Sequence, residues 1–303
     1  MENKKTNLGI IYTFSAYVLW GFMTIYWKQL DNVPAGEILA YRIVWASAFM
    51  LLLVIVLGKW LPFWQECQSI IKDRKKLAGI TAASIVISLN WFLFIWAVVN
   101  GHVLQASLGY YINPLISILL GVVFLKESVT KTQKISFILA AAGVLYLTFS
   151  YGVFPWISIL LALTFALYGL LKKTVDIGAM FGLTIETLLI TPVALIYLWM
   201  IPRNSFSFDA LFSMTNLYLI GAGTLTAIPL LLFANGAKQI PLAMVGFLQY
   251  ITPTMMLILG VFFYNETFTH AHLVTFILIW TALFIYMGSV YNKSKTKQKY
   301  PSQ

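Results

Sequence analysis

Cysteine and charged residues are scarce in this chain of 303 residues. The single cysteine, Cys67, excludes an intramolecular disulfide framework and a cysteine-based metal cluster. Charged residues make up only 10% of the chain, whereas 60% of its residues are hydrophobic. Such a small number of charges cannot cover the surface of a soluble protein of this length. The composition therefore predicts a membrane protein.

The residue patterns of enzymes are missing as well. His270 and His272 lie two positions apart, so they do not share the helix face that a zinc-binding pair at i and i+4 uses. No glycine-rich phosphate loop is present, which argues against direct nucleotide hydrolysis. We therefore expect neither an enzyme nor a bound cofactor or metal.

Long apolar runs occupy most of the chain. Ten runs of about 20 residues are each long enough, at 1.5 Å per residue, to cross a hydrocarbon core of roughly 30 Å. The predicted spans are Leu8–Trp27, Glu37–Leu57, Ala78–Asn100, His102–Leu125, Gln133–Phe149, Val153–Leu171, Gly178–Trp199, Leu217–Ala234, Leu242–Tyr264 and His272–Val290. The sequence thus predicts an all-α polytopic membrane protein with ten transmembrane helices. Outside the spans, Lys59–Lys76 has the length of one interfacial helix, and Asn292–Gln303 is expected to be a disordered solvated tail.

Basic residues fall mainly on one side of the predicted membrane. Seventeen of the 20 Lys and Arg residues lie there, while Lys28 and Arg203 lie on the other side and Arg42 lies within a span. The positive-inside rule therefore places both termini in the cytoplasm, with the protein in the plasma membrane. The first span has no small-residue cleavage site after it, so we expect it to be retained. Because the net charge of +10 is spread over every loop on that side, we expect the lipid bilayer and not nucleic acid as the partner.

The two halves of the chain share a sequence repeat. At an offset of 139 residues, Tyr111–Pro114 aligns with Tyr250–Pro253, and Leu120–Ser128 aligns with Leu259–Thr267. A weaker pairing sets Leu19–Gly21 beside Leu167–Gly169 and Glu37 beside Glu186. We therefore expect two five-helix repeats, residues 1–151 and 152–303. Because five is odd, the second repeat is inverted in the membrane, an arrangement that is typical of alternating-access transporters.

Several stretches resemble the RarD-type proteins of the EamA branch of the drug/metabolite transporter superfamily. They cover the chain in order: Ala16–Gly21, Tyr26–Lys28, Glu37–Arg42, Ala106–Leu115, Tyr168–Lys173, Thr184–Thr187 and Gly246–Tyr250. The resemblance implies a ten-helix carrier of two inverted EamA-like repeats around a central cavity, which moves small metabolites or drugs outward. Tyr41 stands where such proteins commonly carry histidine, so a protonatable group is not available at this position.

Two charged residues lie within predicted spans, Arg42 and Glu186. Charges inside a membrane are costly, and they usually face the bundle interior and mark substrate or ion pathways. Glu186 is therefore a candidate for proton coupling or amine binding, and Arg42 for binding a substrate carboxylate. Alternatively, Arg42 extends to the interface along its stem, and Glu186 bonds to a neighbouring hydroxyl or helix end.

Amide and phenol groups precede a mid-span proline in both repeats. Tyr110–Pro114 and Gln249–Pro253 predict helix breaks at Pro114 and Pro253, which line a cavity or form paired kinks that shape the packing. The candidates for the substrate cavity are Trp20, Arg42, Asn90, Tyr110, Tyr111, Asn113, Tyr168, Glu186, Gln249, Tyr250 and Thr252.

Glu127 and Glu266 occupy matched positions at span ends, and Thr130 with Gln133 has the pattern of a capping box. This favours helix termination at the water interface over an ion pair that closes a gate.

The sequence therefore predicts a secondary active transporter that exports small amphipathic metabolites or drugs by alternating access. An importer or facilitator is an alternative from the same class. A lipid scramblase or membrane assembly factor without a small-molecule substrate is an alternative from another class, and it would require a polar groove that faces lipid. The residues do not decide the substrate, the coupling ion, or whether the protein acts as a monomer or a homodimer.

Overall fold

The computed structural model describes residues 2–99, 102–150, 152, 154–207, 209–264 and 269–299, and every regular element within them is helical. The α-helices are α1 Glu2–Trp27, α2 Ala35–Val56, α3 Trp60–Lys72, α4 Arg74–Val99, α5 Val103–Phe124, α6 Lys131–Ser150, α7 Trp156–Thr174, α8 Ala179–Met200, α9 Met214–Gln239, α10 Leu242–Gln249, α11 Ile251–Tyr264 and α12 His270–Lys299. Within the described ranges, nine helical segments are long and apolar enough to cross a membrane, and α5 supplies the tenth span through Leu108–Phe124. The predicted ten-span, all-α fold is confirmed.

The outer surface of the spans is apolar. Ile138, Val193 and Phe284 are each about two thirds exposed, at 66%, 66% and 67%. Side chains of this kind face water at a cost, whereas lipid chains solvate them as well as a protein interior does. The bundle therefore contacts the bilayer over its perimeter.

The helix α3 lies between two spans, where the sequence predicted one interfacial helix. Its apolar residues are divided between two sides: Phe63 and Ile70 are buried against the bundle, while Trp60 and Trp64 are half exposed. Aromatic rings at this position are typical of a helix that lies at the boundary between headgroups and water.

The C-terminal segment is helical through Lys299, where the sequence predicted a disordered tail. The helix α12 continues through residues 292–299 and ends at Lys299. Lysine and glutamine are good helix formers, and no proline follows the span until Pro301, so an established helix propagates through this segment.

The ninth span is divided into α10 and α11 by a turn at Tyr250. Pro253 lies in the first turn of α11, where its missing N–H would have no intrahelical partner in any case. By contrast, α5 continues through Pro114, so the predicted break is present in the second repeat alone. The two elements cross closely at this point, because a Cβ atom on Gly246 would lie 2.7 Å from the carbonyl oxygen of Pro114. The packing of α10 and α7 against α5 keeps that helix continuous despite the lost hydrogen bond.

The contacts between helices follow a two-fold relation between the halves. In chain order, α1, α2, α4, α5 and α6 correspond to α7, α8, α9, α10–α11 and α12. The contact of α1 with α9 has its counterpart in that of α7 with α4, and the contact of α5 with α7 in that of α11 with α1. The pairs α2–α8, α5–α10 and α6–α12 are their own counterparts. This is the pattern of two inverted five-helix repeats. The predicted boundary between the two repeats, after residue 151, adjoins residues 151 and 153, which lie outside the described residues.

The spans alternate in direction, which defines two faces of the molecule. The side that holds α3 and the connections 125–130, 175–178 and 240–241 is called the basic face. The opposite face holds the segments 28–34 and 201–213. The helices α1, α4, α6, α8 and α10–α11 run from the basic face to the opposite face, and the others run back.

Candidate functional site

A cavity of about 160 Å³ lies between the two repeats. Its wall consists of Tyr17, Trp20, Met23, Trp27, Arg42, Asn90, Trp91, Phe94, Tyr110, Asn113, Phe165, Thr226, Leu230, Gln249, Thr252 and Met256. This volume is below the range of roughly 300 to 1,000 Å³ that is usual for pockets that enclose drug-sized ligands. The cavity therefore suits a small molecule.

Seven of the eleven sequence-predicted cavity residues lie on this wall: Trp20, Arg42, Asn90, Tyr110, Asn113, Gln249 and Thr252. Four of them form two pairs at the repeat offset, Tyr110 with Gln249 and Asn113 with Thr252. The two repeats thus contribute corresponding positions to one cavity, on either side of the two-fold relation.

Arg42 is the one cation on the described cavity wall. Its Nε donates to Oγ1 of Thr226 at 3.1 Å, and the hydroxyl of Thr226 donates to the carbonyl of Ala222. The guanidinium carbon lies 5.1 Å from the ring centroid of Trp27 and 4.8 Å from that of Trp91. Arg42 therefore points into the bundle and does not extend to the interface. Neither Asp nor Glu is among the described lining residues, and no three His, Cys, Asp or Glu side chains of the described chain come together as a metal site.

The amides of the wall differ in how their hydrogen bonds are used. Nδ2 of Asn90 donates to the Leu161 carbonyl and to Oγ1 of Thr164, both at 2.9 Å, and so joins α4 to α7. Gln249 is only 4% exposed, and its buried Oε1 has no hydrogen-bond partner among the described residues. The hydroxyl of Tyr17 is unpartnered in the same way. An unpaired polar atom in a buried wall is costly, which makes it a natural contact for a ligand.

Buried aromatic rings close the cavity toward the basic face. Tyr168 follows Phe165 by one turn on α7, and Phe233 follows Leu230 by one turn on α9, so both rings lie deeper than the wall. They stack with their centroids 6.1 Å apart, and the ring of Tyr17 lies 6.2 Å from that of Phe233. The structure therefore places Tyr168 in this aromatic floor and not on the cavity wall.

Tyr111 and Tyr250, which the sequence also predicted to line the cavity, are likewise absent from the wall. Each directly follows a residue that does line the cavity, and consecutive residues point about 100° apart around a helix. Tyr250 is 1% exposed within the main core, and Tyr111 packs against the same core.

Glu186 lies below the aromatic floor, near the basic face. Its Oε1 accepts from Nζ of Lys172 at 2.8 Å, and its Oε2 accepts from the Tyr168 hydroxyl at 3.0 Å. From the sequence, Lys172 was counted among the basic residues of the loops, because a lysine at the end of an apolar run is usually exposed. Lys172 follows Tyr168 by four residues on α7, so both side chains lie on one helix face. This spacing was the sequence signal that both could bind the same partner.

Glu127 joins the two repeats at the basic face. Its carboxylate accepts from the backbone N–H groups of Leu242 at 2.7 Å and Ala243 at 3.0 Å, at the start of α10. Nζ of Lys173 lies 3.7 Å from Oε1 of Glu127 and donates to the carbonyl of Ala237. Glu127 therefore does more than terminate α5. Its sequence counterpart, Glu266, lies outside the described residues.

The helix α6 begins with the predicted capping box. The N–H of Thr130 donates to Oε1 of Gln133 at 2.8 Å, and the N–H of Gln133 donates to Oγ1 of Thr130 at 3.2 Å. The box is confirmed, and it fixes the chain that follows Glu127 on the basic face.

At the opposite face, a carboxylate of α2 binds the segment 201–213. Glu37, 1% exposed, accepts from the N–H of Ser205 at 2.5 Å and from its hydroxyl at 2.8 Å. Close by, the ring of Tyr41 stacks on that of Phe206 with a centroid distance of 5.3 Å. These contacts tie α2 to the segment 201–213. In the sequence, Glu37 begins the second predicted span and aligns with Glu186 in the repeat, and neither pattern indicates its contact with Ser205.

A second space, of about 580 Å³, is a groove between α1 and α9. It is lined by Leu19, Phe22, Met23, Ile25, Tyr26, Gln29, Tyr218, Leu225, Ile228 and Pro229. Several of its apolar side chains are among the exposed ones, so the groove faces lipid. Its polar groups are few, and the hydroxyl of Tyr26 is already bonded to the carbonyl of Tyr218.

Comparison with known proteins gives relatives over nearly the whole chain. Residues 7–149 and 155–288 match the EamA-like transporter family. The uncharacterized transporter YojE of Bacillus subtilis (strain 168) is 46% identical over 289 residues, which are 95% of this chain and 96% of YojE. Protein RarD of Salmonella typhi is 41% identical over 297 residues, which are 97% of this chain and 100% of RarD.

A solved crystal structure shares the fold, with a TM-score of 0.69 over 92% of this chain and 96% of that chain, at 15% sequence identity. The family match and the relatives cover both repeats, and both relatives exceed the identity at which a common family is assured. The chain therefore belongs to the EamA-like transporter family, as a multi-pass membrane protein of the RarD type within the drug/metabolite transporter superfamily.

Proposed function

We propose that this protein is a secondary active transporter that exports small amphipathic molecules across the plasma membrane by alternating access. The observation that carries the proposal is the central cavity, whose wall combines matched positions of two inverted repeats. Two inverted repeats can exchange conformations, so one site between them opens first to one face and then to the other.

The contacts at the two faces support this mechanism. On the basic face, the aromatic floor and the bonds of Glu127 separate the cavity from the water phase. On the opposite face, Glu37 holds Ser205. Each carboxylate belongs to the first repeat and binds a residue of the second. In the proposed cycle, the contacts of Glu127 open and close in alternation with those of Glu37.

The basic face is cytoplasmic in this proposal, with both termini inside the cell. The positive-inside rule supports this orientation, because most of the lysines lie at the helix ends, in the connections and in the terminal segments on this side. The energy comes from an ion gradient or from substrate exchange. Glu186 is a candidate for proton coupling because protonation would remove its charge-assisted bond from Lys172, next to the floor.

The groove between α1 and α9 does not favour the scramblase alternative. Lipid scrambling needs a polar path for headgroups along the membrane-facing surface. The described groove between α1 and α9 has an apolar middle, formed by Leu225, Ile228 and Pro229. Such a surface binds acyl chains and gives a headgroup no partner.

Single-cysteine accessibility tests alternating access without knowledge of the substrate. In a Cys67→Ser background, Thr252→Cys on the cavity wall should react with a membrane-impermeant maleimide in both right-side-out and inverted vesicles. Thr187→Cys, buried in α8 away from the cavity, is the matched control and should react in neither. Labelling of Thr252→Cys from the same single face under every condition would contradict the proposal. In proteoliposomes, transport by Glu186→Gln with unchanged pH dependence would exclude Glu186 from coupling.

A further inference from the structure

The guanidinium of Arg42 is a partly buried cation on the cavity wall, and no described carboxylate serves as its counter-ion. It takes part in none of the described ion pairs, and its Nη atoms donate to no described residue. The described wall around it holds no carboxylate. A charge inside a membrane is stable only when it is paired or hydrogen-bonded, and here the protein supplies a single hydroxyl and two ring faces. The missing negative charge is therefore one that a ligand can bring.

The contacts of Arg42 orient it for a planar anion. Thr226 accepts from Nε, and its own proton is committed to the Ala222 carbonyl, so the pair has one fixed arrangement. The indoles of Trp27 and Trp91 contact the guanidinium and restrict its rotation. The two Nη groups are left for the cavity. A guanidinium held in this way matches the two oxygens of a carboxylate.

The rest of the wall suits an aromatic ring. Trp20 and Phe165 meet edge to face, with centroids 5.7 Å apart, and Phe94 lies on the same wall. Met23 and Met256 add flexible apolar side chains. Aromatic side chains prefer planar partners in offset or edge-on contact.

The charge of Arg42, with no carboxylate on the described wall, disfavours a positively charged ligand. Oε1 of Gln249 and the hydroxyl of Tyr17 lack partners, so they can meet a neutral donor such as a hydroxyl. An ammonium group would add a second positive charge to a cavity that already holds Arg42 and has no described carboxylate.

We infer that the cavity selects small organic monoanions, in which a carboxylate binds Arg42 and an aromatic ring packs against Trp20, Phe94 and Phe165. This inference rests on the proposed function, because it assigns the substrate class of the same cavity. The selectivity follows from charge first and ring shape second.

Three probes with the same ring and chain length test the charge selectivity: 3-phenylpropionate, 3-phenylpropanamide and 3-phenylpropylamine. We expect isothermal titration with the purified full-length protein to show binding of the anion, at least tenfold weaker binding of the amide, and no binding of the amine. Binding of the amine or the amide as tight as that of the anion would overturn the inference.

Variants then locate the contact. Arg42→Gln should weaken 3-phenylpropionate binding at least tenfold. Arg42→Lys should weaken it less, because an ammonium keeps the positive charge but lacks the two parallel N–H donors of the guanidinium. Arg203→Gln, which removes an exposed arginine outside the cavity, should leave binding unchanged. Unaltered binding to Arg42→Gln would also overturn the inference, and the series on the unmodified protein stays decisive if that variant does not fold.

Transport assays separate the two proposals. If 3-phenylpropionate binds but does not cross proteoliposome membranes, and Thr252→Cys labels from one face only, the transport mechanism fails while the ligand class stands. If proteoliposomes move 3-phenylpropylamine and not 3-phenylpropionate, the ligand class fails while the transport mechanism stands.

Discussion

Nζ of Lys172 donates to Oε1 of Glu186 at 2.8 Å, and both side chains are nearly inaccessible, at 6% and 4% exposure. The two residues belong to α7 and α8, so the ion pair ties neighbouring helices of the second repeat directly beneath the aromatic floor. The hydroxyl of Tyr168 binds the remaining oxygen of the carboxylate. Every member of this small network thus depends on the others for its charge balance or its hydrogen bonds.

Removing one charge of this pair should destabilise the protein strongly. Glu186→Gln leaves Lys172 buried without a counter-ion, and the loss of one partner from a buried pair costs about 3 to 5 kcal/mol. The double variant Lys172→Met with Glu186→Leu should recover most of that loss, because it removes both charges. Thermal unfolding of the purified protein in detergent measures both effects. The partly exposed pair Lys76 and Glu66, 3.9 Å apart with side chains 26% and 27% exposed, is the control, and Glu66→Gln should change stability by less than about 1 kcal/mol.

Glu127→Gln should loosen the basic face. The variant keeps the shape of the side chain but loses the charge that binds the start of α10 and attracts Lys173. In the Cys67→Ser background, we expect Thr252→Cys to be labelled several-fold faster from the basic face. Glu66→Gln on α3 removes a carboxylate from the same face without a contact to α10, so it should leave this rate unchanged. Equal labelling rates in the two variants would show that the contacts of Glu127 do not keep the cavity closed toward the basic face.

Cys67 reports the orientation of the protein without any substitution. It lies on α3 at the basic face, so a membrane-impermeant maleimide should label it in inverted vesicles and not in intact cells. Arg203→Cys in the Cys67→Ser background should show the reverse. Burial, aided by the charge of Glu66, raises the pKa of the Cys67 thiol. The thiolate is the reactive form, so its labelling should accelerate as the pH is raised from about 7 to about 9.

Gly223→Ala should disrupt the packing of α9 on α2. A Cβ atom at this position would meet the backbone of Trp45 and Ala46, which cannot move aside as a flexible side-chain end does. We expect a loss of about 1 to 3 kcal/mol in unfolding experiments. Gly288→Ala in α12 is the matched control, since an added Cβ atom there meets nothing within 4 Å. A control that loses as much stability would point to a general effect of glycine replacement.

The spans and the repeat were predictable because each leaves a pattern in the sequence. A helix in lipid must be apolar over about 20 residues, and that requirement alone located all ten spans. The repeat paired Tyr110 with Gln249 and Asn113 with Thr252, and the structure places these four on one wall. The capping box was predictable for the same reason, because its spacing is local.

The contacts of Arg42 were not predictable, because they depend on how helices pack. Thr226, which binds Arg42, lies 184 residues away in the chain and is an ordinary threonine by sequence. Trp27 reads as an interfacial anchor at a span end until α2 is placed beside it. Lys172 was misjudged for the converse reason: its position at a span end indicates water, whereas the fold supplies Glu186 as a buried partner.

The turn at Tyr250 gives the two parts of the ninth span different neighbours. The short α10 packs mainly on α5, and its first N–H groups are bound by Glu127, whereas α11 packs on α1. A straight helix of the same length would carry a displacement at the basic face through to the opposite face. The divided span lacks that continuity, so the neighbours of α10 and those of α11 hold the two parts separately on either side of the turn.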